Sequence, residues 1–414
     1  MSRAVRGRLG ALAERNFRLV FSSTTVSAFG DGVSTVALAF AILKISHDSA
    51  TSVGVVIACR QVAAAAITLA AGVIGDRLPR HVVLVTVASI QAAVQTTAGV
   101  LIVTGHATVP ILALLAVVYG LADGFVIPAS QGLIPLVVSA SRLQEANALL
   151  GLSRSILGFA GPAVGGVLTG LGSPGAAILV DAATFAAAAL LLIRVGVDPK
   201  DDVVEPEPFL RELREGWAAF RRQTWIWTTI VFFGIGNFAG SSYGVLGPLV
   251  AKHDLGGAKA WGFIVGASGL GAIVGGVVAL RHRTRRPLLA SCVAAIPYGT
   301  QTLALGLGFG FWPMLAVSAF AGASLAVHLA LWFTVFQQQV PEQERSRVSS
   351  YDALGSFVLI PLGAALAGPV AGLVGVHATL IGSGVVSLVC ILIVIAQPSV
   401  RGLGTPAPPE PIPA

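Results

Sequence analysis

The sequence predicts an all-α, polytopic membrane protein of twelve transmembrane helices in two pseudo-symmetric six-helix halves. The 414 residues are 55% hydrophobic and only 11% charged, against roughly 25% charged residues in a soluble domain. Apolar stretches of about 20 residues, long enough to cross a bilayer, follow one another almost without pause. A weak internal repeat divides them: Gly72-Val-Ile-Gly-Asp-Arg77 closes the second stretch as Gly276-Val-Val-Ala-Leu-Arg281 closes the eighth, and Pro135 with Arg142 recurs as Pro341 with Arg347.

Residues 1–16 form an N-terminal segment rich in arginine (Arg3, Arg6, Arg8, Arg15), with Arg18 just beyond. The apolar stretch that follows is far longer than a signal-peptide core and lacks a small-residue cleavage site, so it reads as retained. The predicted spans are 17–44, 51–75, 82–104, 109–135, 143–170 and 175–195 in the first half (17–195). Those of the second half (225–397) are 225–250, 260–280, 287–308, 311–338, 348–374 and 376–397. Gly and Pro interrupt several, tolerable where neighbouring helices re-satisfy the backbone, and the longer ones imply tilt. Between the halves, 196–224 reads as a polar linker holding a short amphipathic helix. From 398 to 414 the Pro-rich tail reads as extended and disordered.

Most of the 26 Lys and Arg fall outside the spans on one face. Only Lys44, Lys252 and Lys259 are left for the other, and Arg60 and Arg154 lie inside spans. That asymmetry places both termini in the cytoplasm and the protein in the cell membrane, and it accounts for the net charge of +7 without nucleic acid. Cys59, Cys292 and Cys390 each sit alone inside a span, with no metal or disulfide spacing, and no cofactor is implied. There is no G-x-x-x-x-G-K-[ST], H-E-x-x-H or G-x-S-x-G, which disfavours an ATP-driven pump and a membrane-embedded enzyme.

Charges inside a bilayer cost about 2.5–3.5 kcal/mol each, so each needs a partner or a wet cavity. Asp31 and Arg60 lie at comparable depth in adjacent antiparallel helices and could pair, and Asp123 with Arg154 forms a second expected pair. Either carboxylate could exchange a proton, its arginine tuning it; equally, both pairs could stay permanently ionised and structural. Glu145, Asp181 and Asp352 sit near span ends and read as solvated or capping charges. Asn237, Tyr243, His328, Trp332 and Gln337 are candidate cavity residues, alternatively packing or interfacial groups. Their low charge points to an apolar or amphiphilic small molecule.

The sharpest local pattern is Gly72-x-x-x-Asp76-Arg77-x-x-Arg80, with the turn after the second span suited to latching helix ends. It resembles the signature loop of the major facilitator superfamily, and the resemblance covers about residues 15–397. Gly161-Pro162-Ala-Val-Gly165-Gly166 is similar to an element of that superfamily's proton-coupled exporters, its glycines permitting close helix approach. Pro128-Ala-Ser-Gln-Gly-Leu-Ile-Pro135, Leu143-Gln-Glu-Ala-Asn147 and Arg347-Val-Ser-Ser350 resemble the branch of enterobactin-type siderophore exporters and macrolide efflux proteins. One departure stands out. The drug-exporting branch carries an arginine in helix 4 four residues before a glycine, and here Gly120 occupies that place, before Gly124. The resemblance implies a monomeric secondary transporter in membrane lipid that exports a small amphiphilic compound by proton antiport. An importer or a gradient-independent facilitator on the same fold is the alternative.

Overall fold

The computed structural model describes residues 10–75, 79–196, 217–218, 220–281 and 284–403. Twelve of its helices are long and apolar enough to cross a membrane. They are α1 (Arg15–Ile45), α2 (Ala50–Gly75), α3 (Arg80–Val103), α4 in two pieces (Val109–Asp123 and Val126–Val137), α5 (Leu143–Gly170) and α6 (Pro174–Leu192). Then come α7 (Thr224–Leu255), α8 (Ala258–Arg281), α9 (Pro287–Gly306), α10 (Phe311–Gln339), α11 in two pieces (Glu342–Phe357 and Ile360–Val374) and α12 (Val376–Ala396).

The breaks in α4 and α11 have a common cause. A proline ring clashes with the carbonyl four residues earlier and supplies no N–H. Pro128 therefore disrupts the helix at Gly124, and Pro361 at Phe357, the residues where the pieces separate. Helix α11 also starts earlier than predicted, at Glu342, because its polar first turns extend beyond the apolar stretch that signals a span.

One sequence expectation about the ends needs correction. Pro398–Arg401 is a helical turn rather than disordered tail: Val400 is fully buried and Arg401 Nε donates to the Ile395 carbonyl at 2.8 Å. At the other end, Gly10–Ala13 is a 3₁₀ turn whose Ala11 is buried. Most of the 196–224 linker, and the tail beyond 403, lie outside the described residues. Where the linker rejoins α7, Phe220 stacks on Trp217 and on Tyr351 of α11.

Among the described residues, the buried side chains form one shared core at one end of the molecule, two separate cores at the other, and a small cluster of Val94, Tyr119 and Phe185. Away from the termini, Val33 and Ile42 of α1, Val53 of α2, Leu246 of α7, Ile264 of α8 and Leu380 of α12 belong to a single cluster. At the terminal end, Phe17, Leu133 and Leu192 form one cluster, and Phe220, Trp225, Trp332 and Val400 another. Helices α1–α6 and α7–α12 thus meet mainly across α2 with α11 and α5 with α8.

An ionic clasp joins the two sets at the shared end. Asp48, in the α1–α2 turn with φ of 68°, accepts from Lys252 and, at 3.1 Å, from His253 of α7. The hydrogen bond from Lys252 holds the Asp48 carboxyl below the usual carboxylate range. A depressed carboxylate keeps its bridge above its folded-state pKa and loses it only as pH falls through that value. Acidification from neutrality to about pH 5 is therefore expected to leave the clasp closed, since ordinary aspartates titrate near 4. Asp48→Asn is expected to raise the population opened at this end by up to about fivefold, because a half-exposed ion pair contributes at most about 1 kcal/mol. Spin labels at Ser49 and Lys259 would report this as a new long-distance component, and an unchanged distribution would reject the clasp.

Candidate functional site

Inside α1–α6, one guanidinium holds together groups from four helices. Arg60 of α2 places Nη2 3.5 Å from Asp123 Oδ2 of α4 and 3.9 Å from Asp31 Oδ1 of α1. Its guanidinium lies 4.1 Å from the centroid of the Tyr119 ring, an attraction between cation and ring quadrupole. The Tyr119 hydroxyl donates to Asp31 Oδ1 at 2.6 Å, and Gln91 of α3 reaches Asp123 Oδ1 at 3.5 Å. One helical turn along α3, Gln95 donates to Asp181 of α6, which also accepts from Thr184 Oγ1 at 3.3 Å. A cavity of about 40 Å³ touches Arg60, Gln95, Tyr119 and Ser34 among mostly apolar side chains. That is room enough for a water against these polar groups.

The pairing expected between Asp123 and Arg154 is not made. Asp123 pairs with Arg60, whereas Arg154 is exposed on α5 and forms no ion pair among the described residues. Counting depth along helices placed Asp123 and Arg154 at one level but said nothing of which faces meet. Asp181 is likewise no edge charge: it has no exposure at all, and α1 crosses it at Gly30, where a Cβ would strike Asp181 and Thr184. Gln91, Gln95 and Tyr119 were missed. Two glutamines one turn apart in the middle of a span were the signal, since residues at i and i+4 share a face.

Gly120 explains how the cluster is built. A Cβ at 120 would collide with the Arg60 carbonyl, so α4 lies against α2 at this point and no larger residue fits. The positive charge absent from α4 arrives from α2 instead, beside the same stretch of helix.

The helix-5 motif lies at both contacts of α5. A Cβ on Gly161 would stand 2.7 Å from Gly32 Cα of α1, and one on Gly166 would stand 2.5 Å from the Ala258 carbonyl and 2.9 Å from Gly262 Cα of α8. Gly165 packs on the Val33 backbone, and the Pro162 carbonyl faces Gly262. Small residues here let three backbones touch. Of the latch residues, Gly72 lies in the last turn of α2, and Asp76 and Arg77 lie outside the described residues. The Arg80 guanidinium lies against Gly132 of α4.

A second cavity, of about 260 Å³, opens within α7–α12. Asn237, His328 and Trp332 line it, as does Asp352, which was read from sequence as an edge charge. Asp352 Oδ2 accepts from Trp332 Nε1 at 3.1 Å and Oδ1 from Ser356 at 3.2 Å. Tyr243 and Gln337 are not part of it. The Tyr243 hydroxyl pairs with Ser318 at 3.2 Å and its ring packs on Trp261, while Gln337 is exposed and its carbonyl accepts from Arg345.

The transmembrane secretion effector family matches residues 6–402, nearly the whole chain. The chain belongs to the major facilitator superfamily. It is similar to an uncharacterised transporter of this superfamily from Sinorhizobium fredii, 28% identical over 64% of this chain and 66% of that one. This match and that to a Bacillus subtilis transporter each span just under two thirds of the relative's length. Macrolide efflux protein A of Streptococcus pyogenes is 24% identical over 78% of this chain and 82% of its own. The enterobactin exporter of an Escherichia coli strain is 28% identical over 84% and 85%. Among solved structures, the nucleoside transporter NupG superposes with a TM-score of 0.70 at 16% identity, covering 92% of this chain and 99% of that one, a likeness of fold. The chain is thus a multi-pass membrane protein of this transporter superfamily, with efflux-type relatives.

Proposed function

We propose that this transporter exports small amphiphilic compounds across the cytoplasmic membrane in exchange for protons, both termini lying inside. The cluster around Arg60 carries the reading. Two carboxylates, Asp31 and Asp123, share one guanidinium, and a third, Asp181, is held beside them by Gln95 and Thr184 with no cation paired to it among the described residues. Full ionisation would leave two uncompensated negative charges among six helices, each costing about 2.5–3.5 kcal/mol in a bilayer. Protons cancel such charges. Asp123, nearer Arg60 and held by Gln91, serves as its resident counter-ion, and Asp31, facing the Tyr119 hydroxyl, exchanges the proton, with Asp181 a further acceptor.

Orientation follows from the arginine bias of the terminal face. With that face inside, the shared core and the Asp48 clasp close the outer end, and substrate is taken up from the cytoplasmic side. Rocking of the two six-helix halves about α2–α11 and α5–α8 then opens the outer end. Proton gain from outside accompanies substrate loss, proton release inward resets the cycle, and the loop of Asp76, Arg77 and Arg80 latches one conformation. The macrolide and enterobactin relatives favour export over import.

Everted membrane vesicles energised to an acid interior test this with a radiolabelled macrolide. Uphill accumulation that collapses on adding an uncoupler is expected. Equilibration without accumulation, insensitive to the uncoupler, would make the protein a facilitator.

A further inference from the structure

The cavity within α7–α12 pairs an aromatic wall with one carboxylate. Phe232, Phe233, Tyr298, Trp332, Phe333 and Phe357 all border it. Among the described residues, Asp352 is its sole acidic lining residue and no lysine or arginine lines it. Each Asp352 oxygen accepts one hydrogen bond from a neutral donor, from Trp332 and from Ser356, and no described residue gives it an ion pair. Neutral donors orient a carboxylate without cancelling its charge. Trp332 is itself fixed, 6% exposed and packed between Trp225 and Phe336 at centroid distances of 6.0 and 6.4 Å. A further titratable lining group, His328, is tied through Nδ1 to the Ser291 carbonyl at 3.0 Å and lies on Phe233 with centroids 4.9 Å apart.

An oriented carboxylate with no counter-ion among the described residues, beside aromatic faces, has the chemistry that binds an organic ammonium. The carboxylate supplies opposite charge, the rings supply cation–π attraction, and the apolar wall holds the rest of the molecule. We propose that this cavity binds the ammonium head of an amphiphilic monocation, Asp352 serving as counter-ion and Trp332 as both its orienting group and a ring face. The proposal rests on the export reading for its biological sense, but binding is measured without transport, so either can fail alone. It also separates the two jobs: the cation sits in the second six helices, the proton in the first.

The test uses three molecules of nearly one shape: naphthylmethylamine, a cation at neutral pH, neutral naphthylmethanol and anionic naphthoate. Equilibrium dialysis with the purified full-length protein at pH 7 is expected to give the amine at least about tenfold tighter binding than either analogue, equivalent to about 1.4 kcal/mol. Asp352→Asn should bring amine and alcohol to within about twofold while leaving the alcohol's affinity unchanged, which shows that the cavity still folds. Trp332→Phe, which keeps a ring but removes the N–H, should weaken amine binding less than Asp352→Asn does. Equal affinity for amine and alcohol in the native protein, no binding of any of the three, or a cation preference surviving Asp352→Asn would each overturn the proposal. Loss of uphill transport in Asp31→Asn with amine binding intact would leave it standing.

Discussion

Asp31→Asn is expected to abolish pH-driven accumulation of substrate, by at least tenfold, while substrate exchange between two equal pools continues. The asparagine is neutral throughout the cycle, so the conformational change needs no proton and the gradient loses its purchase. Its amide still meets the Tyr119 hydroxyl, and Arg60 keeps Asp123 at 3.5 Å. Counterflow in proteoliposomes separates the two outcomes. A merely structural ion pair would lose exchange and accumulation together, along with thermal stability, whereas normal uphill efflux by Asp31→Asn would exclude Asp31 as the proton carrier. Asp123→Asn should do more harm to folding, because it strips Arg60 of its nearer partner and leaves a guanidinium poorly compensated.

Gly166→Val should halt transport by a different route. The added carbons would enter the Ala258 carbonyl and Gly262 backbone of α8, and neither can move without displacing a helix. Overpacking of this kind costs about 1–3 kcal/mol. The cost falls on the conformation in which α5 and α8 touch, so spin labels at Ser49 and Lys259 should move apart and turnover should fall about tenfold or more. Gly276→Val is the matched control, for nothing lies within 4 Å of that position. Equal effects of the two substitutions would show that α5–α8 contact is not what holds the outer end shut.

The fold was legible because lipid imposes a simple rule. A helix that must hide its backbone needs an apolar run of fixed length, and that run is written linearly in the sequence. Superfamily membership was legible for a related reason, since Gly72 to Arg80 and Gly161 to Gly166 are continuous motifs. The cluster around Arg60 was only half legible. Depth along a helix can be counted, which brought Arg60 to the level of Asp31, but facing cannot, and Asp123 was matched to Arg154 on the wrong neighbour. Which side of α4 meets α2 is decided by Gly120, a residue conspicuous in sequence only as an absent arginine. Asp181 and Asp352 were misplaced because proximity to a span's end was taken for exposure. Packing by α1 at Gly30 buries the first, and the Trp332 indole draws the second into an aromatic cavity.

Proton movement itself is the most direct test. Proteoliposomes holding the purified protein, a trapped pH-sensitive dye and a preset pH gradient would receive a lipophilic amine antibiotic, then a neutral analogue. Substrate-triggered collapse of the gradient, absent from empty liposomes and from Asp31→Asn, is the outcome expected of proton antiport. Labelled compound crossing the membrane while the gradient stays intact would contradict it and leave a facilitator.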